Sequence, residues 1–296
     1  MSSFVILPER GLITVGGPDR AEFLQGLISN DINHVASDRV IWAALLTPQG
    51  KYLHDFFVTE SDGSYLLDCE AERLMDLGQR LSHYKLRAEI DLGMSDSQSV
   101  AAIYGDGIEE LLGLPAKAGA AVPFGGGVAY MDPRLIQMGA RAVLPKETAE
   151  EALSDAGLSA DSLEAYDAHR LALGLPDGSR DLVIEKSILL ESNFDELNGV
   201  DWDKGCYMGQ ELTARTKYRG LIKKRLVPVA IEGDAPEPGT PILCDGKRAG
   251  EMRSARDGAG LALLRLEYLE RALEGEGPFD AGGSDITPRK PDWGEF

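Results

Sequence analysis

The sequence predicts an α+β protein whose chain ends in a small β-barrel, and three observations carry that prediction. Segments of strand and helix period alternate over about the first 220 residues. Residues 40–69 read as a three-stranded meander. Beyond Lys224 the apolar runs become short, evenly spaced and separated by Gly, Pro and Asp, as in a small barrel. At 296 residues, with 43% hydrophobic and 27% charged side chains, the chain is long enough for two or three domains with a sizeable core.

Taken in order, residues 4–7 and 12–15 read as strands. Asp19 and Glu22 form a capping box ahead of Phe23, Leu24, Leu27 and Ile28 at helical spacing. "VIWAALL", "KYLHDFFV" and "YLLDC" are the meander strands, joined by the turns "TPQG" and "ESDGS". A helix over 70–83 turns Leu74, Leu77 and Leu81 inward; "KLRAEIDL" and "SVAAIYG" follow as strands, then a short helix near 107–113. The Gly-rich stretch 119–130 lacks the spacing of a phosphate loop and reads as a tight turn between strands. "ARAVLP" is another strand. A helix over 161–174 has the capping box Asp161 and Glu164 and a terminating Gly174, with His169 and Arg170 placed to suit its dipole. "RLVPVAI", "TPILC", "KRAGEMRSA" and "GLALLRL" supply the barrel, and residues 276–296 read as a loosely ordered tail.

No apolar run approaches the ~20 residues that cross a bilayer, so no membrane role is expected. The opening "MSSFVILPERG" lacks the basic flank of a signal peptide and the Arg-rich character of a transit segment, and a cytoplasmic protein is the expectation. Cys69, Cys206 and Cys244, like the four histidines, are scattered; no disulfide framework and no preformed metal site is expected unless distant ligands converge. A formal charge of -19 argues against direct nucleic-acid binding. One segment departs from this: residues 204–225 hold seven basic side chains and one acid, leaving 23 basic and 48 acidic residues elsewhere. Such an island is a solvated charge run, or it focuses small anions or a partner's acidic patch.

Within that island stands Lys204-Gly-Cys-Tyr-Met-Gly-Gln-Glu211. With "FLQGLISNDI", "TPQGKYLHDFF" and "ESNFDELNGVDWD" in this order, it resembles the YgfZ-type folate-binding proteins of iron–sulfur cluster assembly, relatives of the glycine-cleavage T-protein (aminomethyltransferase). The resemblance runs from about residue 4 to 270. It implies a folate-binding body over 1–222, made of two interleaved α+β subdomains around a central channel that accepts tetrahydrofolate. A C-terminal β-barrel over 223–275 follows. It also implies work on [4Fe–4S] proteins, including radical enzymes that modify tRNA, with iron–sulfur assembly proteins or client enzymes as partners.

The residues have their own chemistry. Cys206 follows a glycine and precedes a helix start; cationic neighbours, here Lys204 and Arg215, favour thiolate. Such a thiol can attack, be oxidised or offer one ligand to iron, but a cluster wants about four thiolates, so a partner must supply the rest. A small buried filler is the alternative for Cys206; the intact motif favours the functional thiol, and Cys206 and Lys204 are the catalytic candidates. Tyr207 offers a ring or a hydroxyl, and Gln210 a bidentate amide for a pterin edge. Glu211 pairs with Lys204 or Arg215. Glu191, Asn193 and Asp195 match a Glu-x-Asn-x-Asp stretch of the relatives, although Leu189 replaces a proline common there. Glu191 is assigned to the pterin N–H groups, and Asn193 joins the cofactor-binding set. Where the T-protein has Leu-Asp-Asp, this chain has Leu-His54-Asp55, and strand alternation sends only one of His54 and Asp55 toward the channel. Tyr207, Gln210, Glu211, Arg215 and Asp55 complete the cofactor-binding set.

The expected function is a tetrahydrofolate-binding accessory factor for assembly or repair of [4Fe–4S] proteins, acting through Cys206 as a monomer. The alternatives are a folate-dependent aminomethyltransferase and a non-catalytic binding module; whether the protein turns over a substrate is left open.

Overall fold

In a computed structural model, residues 2–296 are described. The chain divides into two compact units. One takes the chain up to Leu46, Leu53–Tyr166 and Leu197–Met208; the other takes Thr47–Tyr52, Asp167–Glu196 and Gly209–Phe296.

The first unit holds two sheets. The expected meander, Ile41–Leu46, Tyr52–Ser61 and Ser64–Glu70, continues into Arg10–Gly16 and Asp91–Ser95 as a five-stranded sheet. Its apolar face packs on the helix Leu74–Lys85, which buries Leu77 and Leu81 against Ile13, Phe56 and Leu67. The second sheet has six strands and buries Phe4, Ile103, Ala142 and Leu144 beneath Leu112 and Leu153. A charged layer joins the sheets. Asp68 accepts from Arg10 Nε at 2.6 Å and from Arg141 Nη2, of the second sheet, at 2.9 Å. The guanidiniums of Arg141, Arg134 and Arg10 lie 4.3, 4.9 and 5.9 Å from the Phe57 ring centroid. Cations over an aromatic face, paired with buried carboxylates, make this layer tolerable away from water.

The second unit is built on a closed six-stranded barrel. Lys224–Glu232 pairs with Ala259–Arg265 on one side and Ser284–Pro288 on the other. Its interior holds Val227, Val229, Ile242, Met252, Leu264 and Phe279. Arg170, fully buried, ties its helix to the barrel by donating to Asp167, Asp181, the Leu175 carbonyl and the Ser254 hydroxyl.

Four local expectations are corrected. Residues 276–296 are not a loose tail: Phe279–Ala281 and Ser284–Pro288 close the barrel. Gly282 and Gly283, at φ 65° and 96°, make the two-residue hairpin turn between them. Asp19 does not cap its helix, because its carboxylate accepts from Glu89 N at 2.7 Å instead. The helix expected from Asp161 spans Leu163–Leu173, where the Ser162 hydroxyl accepts from Ala165 N, while Asp161 takes the Tyr104 hydroxyl. The strand expected over 85–92 begins only at Asp91, since the preceding helix runs to Lys85 and Leu86 adopts φ 45°.

Candidate functional site

The motif loop in the first unit is fastened by backbone groups that the sequence brings from "FLQGLISNDI". Lys204 Nζ donates to the carbonyls of Gln25 (2.8 Å) and Ile28 (2.6 Å), closing the end of the Arg20–Gln25 helix. The Gln25 side chain answers by donating to Lys204 O and accepting from Ile32 N. Met208 N donates to Gly26 O. The ammonium lies 4.9 Å from the centroid of the buried Tyr207 ring. Burial lowers the Lys204 amine to about 8, against the upward pull of Asp31 and Asp201. Lys204 thus holds the loop in place. At Gly205 the chain turns with φ 90°, where an added Cβ would meet nothing within 4 Å. Cys206 follows, exposed, whereas Cys69 and Cys244 are buried and Cys69 is pushed up to about 12 by desolvation.

Strand alternation separates His54 and Asp55 as expected, but both are buried. Asp55 accepts from Trp42 Nε1 at 3.0 Å. His54 Nε2 meets Asp76 at 2.7 Å, and burial, helped by Arg73, lowers its imidazole to about 4. The strand Tyr52–Ser61 is covered on both sides at this point, so neither side chain lies on an exposed face.

In the second unit, three segments far apart in sequence converge. The hairpin tip Thr47–Tyr52 is held by Tyr52 N to Ser187 O and by Glu185 N to Tyr52 O. Gly50, at φ 80°, packs on the motif: an added Cβ would lie 2.6 Å from Gly209 O and from Leu212 Cβ. Gly209, also at φ 80°, starts the helix Gln210–Tyr218. Close by, the turn Leu189–Ser192 presents Glu191, half-buried, which accepts no hydrogen bond among the described residues. Burial raises its carboxyl, while Lys224, Lys51 and Arg253 pull it down. Lys224 also lines two adjoining grooves, one of about 570 Å³ with Lys223 and Arg265, the other of about 230 Å³ with Arg248, Glu251 and Arg265.

The other expected residues divide. Asn193 is fully buried at φ 63°, donates to Leu226 O at 2.7 Å and faces Arg225, so it fastens the turn to the barrel and presents no surface to a ligand. Asp195 pairs with Arg225. Glu211 and Arg215 are exposed and pair with each other one helical turn apart, so this arginine is balanced by a carboxylate. Folding also brings together a set the sequence reading passed over: the ligand atoms of Asp31, His34 and Asp201 lie within 4.8 Å of one another.

Comparison with known proteins places this arrangement. Residues 223–296 match the CAF17 C-terminal β-barrel domain. The mouse (Mus musculus) iron–sulfur cluster assembly factor IBA57, mitochondrial, is 34% identical over 97% of this chain and 84% of its own length. The chain belongs to the IBA57 family. Its human relative of the same name is 33% identical with the same coverage. The homolog from Neurospora crassa is 35% identical over 78% of this chain, which spans about half (54%) of that longer protein. Among solved structures, the aminomethyltransferase T of the Bartonella henselae glycine cleavage system superposes with a TM-score of 0.78 over 98% of this chain and 85% of its own, at 16% identity. At that identity the likeness shows the fold: a T-protein-like α/β body with a closed C-terminal barrel.

Family membership corrects two expectations. The relatives matched carry the IBA57 name, so the YgfZ-type assignment gives way to IBA57. The cytoplasmic expectation also falls, because the mouse, human and Neurospora family members are mitochondrial proteins by name. That expectation rested on the composition of a few opening residues, which does not carry a family's compartment. No helix of the described residues is long and apolar enough to cross a membrane.

Proposed function

We propose that this IBA57-family protein is an accessory factor in the assembly or repair of iron–sulfur proteins, with [4Fe–4S] clients among its partners and Cys206 as its working thiol. The observation that carries the reading is the contrast among the cysteines: Cys206 is exposed on a loop fastened on both sides, by Lys204 and by Met208, while Cys69 and Cys244 are enclosed. A single thiolate offers one ligand to iron, so it acts with thiols from a partner and the cluster is cargo. In cells lacking the family protein, Cys206→Ser should accumulate normally yet fail to restore the activity of [4Fe–4S] enzymes, radical tRNA-modifying enzymes included. Full rescue by the serine variant would contradict the role.

The same reading gives the second unit a tetrahydrofolate site. Glu191 suits the pterin end, because a withdrawn carboxylate without a hydrogen-bond donor gains from the N–H groups of a planar amide edge. Gln210, at the start of the adjacent helix, offers a matching amide. Lys224, Arg265 and Arg248 suit the anionic glutamate end. When bound, folate would supply a one-carbon carrier. The aminomethyltransferase alternative has less support, since the T-protein likeness carries the fold alone and His54 replaces the first of that enzyme's paired aspartates.

A further inference from the structure

We infer that Asp31, His34 and Asp201 form a binding site for one first-row divalent metal ion, of the iron(II) class. Asp31 precedes the 3-10 helix Ile32–His34, and His34 ends it. Asp201 arrives from the segment that leads into the motif loop. Three contacts stitch the two segments together: Asp201 N to Ser29 O at 3.1 Å, Ser29 Oγ to Gly199 O at 2.6 Å, and Asn30 Nδ2 to Asn198 O at 2.8 Å. The three donors are therefore held by backbone-anchored loops.

The donor geometry points to a shared ion. His34 Nδ1 stands 3.5 Å from Asp201 Oδ2. That exceeds the ~2.7–3.2 Å of a well-formed N–H···O bond. Two ligands each about 2.1 Å from one metal and subtending roughly 110° are separated by this distance. All three ligand atoms fall within 4.8 Å of one another. Each carboxylate also has one oxygen fixed by a backbone N–H: Asp31 Oδ1 accepts from Asn33 N at 2.9 Å and Asp201 Oδ1 from Asp203 N at 2.8 Å. Those bonds orient the second oxygen of each, as outer contacts of metal ligands do. One imidazole with two carboxylates selects borderline ions such as Fe(II), Mn(II), Co(II) or Zn(II) over Mg(II) and Ca(II), which prefer all-oxygen sets. The neighbouring Lys204 ammonium is directed to the Gln25 and Ile28 carbonyls.

The test is calorimetric and optical titration of the chelator-stripped full-length protein with Co(II). The expected result is one site, with affinity reduced about tenfold or more in His34→Ala and in Asp201→Asn and unchanged in Cys206→Ser. Asn at 201 retains an oxygen for the Asp203 N–H, so this variant should melt with the wild type and report ligation alone. Absence of Co(II) binding, binding indifferent to both substitutions, or a thiolate-to-cobalt band that vanishes in Cys206→Ser would overturn the assignment. The readout is independent of the cluster-assembly role and stands or falls apart from it.

Discussion

Asp68 in the first unit is a fully buried carboxylate and Glu191 in the second a half-buried one, and their surroundings differ in kind. Asp68, 1% exposed, is saturated by Arg10 and Arg141 and cements two sheets. Glu191 feels lysines and an arginine through space but accepts no hydrogen bond among the described residues. A buried charge whose partners are complete is architecture; a half-buried one that no protein donor reaches can exchange its water for a ligand's N–H groups. The same chain builds both conditions from one residue class.

Substitution should separate them. Removing Asp68 takes the carboxylate from the buried guanidiniums of Arg10 and Arg141, so Asp68→Ala should cost about 3–5 kcal/mol, against less than about 1 kcal/mol for Glu191→Ala, as read by urea denaturation. Equal losses would erase the distinction. The glycines give a second contrast. Gly50→Ala meets backbone at 2.6 Å and should cost more than ~2 kcal/mol, whereas Gly205→Ala, at a similar positive φ but in open space, should cost about 1 kcal/mol.

Titration gives two smaller effects. His54 falls to about 4 from 6.5. The unfolded chain therefore binds the extra proton first, and stability is lost as pH drops from 6.5 toward 4. His54→Gln should flatten that limb of an acid-denaturation curve. Lys204, lowered to about 8 from 10.5, also binds its proton more weakly when folded. Stability from this group should thus rise with pH between about 8 and 10.5, and Lys204→Met should remove the slope in urea midpoints measured across that window.

Much of the architecture was legible because periodicity reports burial: the meander, the Leu74–Leu81 helix and most of the barrel follow from apolar spacing. The two last strands were missed: "DAGGSDI" sets a Gly-Gly pair between short strands, but the Pro and Gly content around it reads as a loose tail. Capping was misassigned where an acid's oxygen found a distant donor, as Asp19 did at Glu89, because local motifs say nothing about such partners. For the candidate site, residue types and spacing singled out Cys206, which is exposed, and Glu191, which is half-buried. They did not reveal that Lys204 is a brace, that Asn193 is sealed, or that Asp31 and His34 meet Asp201 from about 170 residues away. Those outcomes depend on tertiary contacts that no local pattern encodes.

The most direct test of the account is calorimetric titration of tetrahydrofolate into the wild type, Glu191→Gln and Cys206→Ser proteins. The account predicts binding that Glu191→Gln weakens about tenfold or more and that Cys206→Ser leaves intact, one lost charged hydrogen-bond acceptor being enough for that change. Absence of wild-type binding, or equal binding by Glu191→Gln, would contradict the claim that Glu191 is held ready for a ligand.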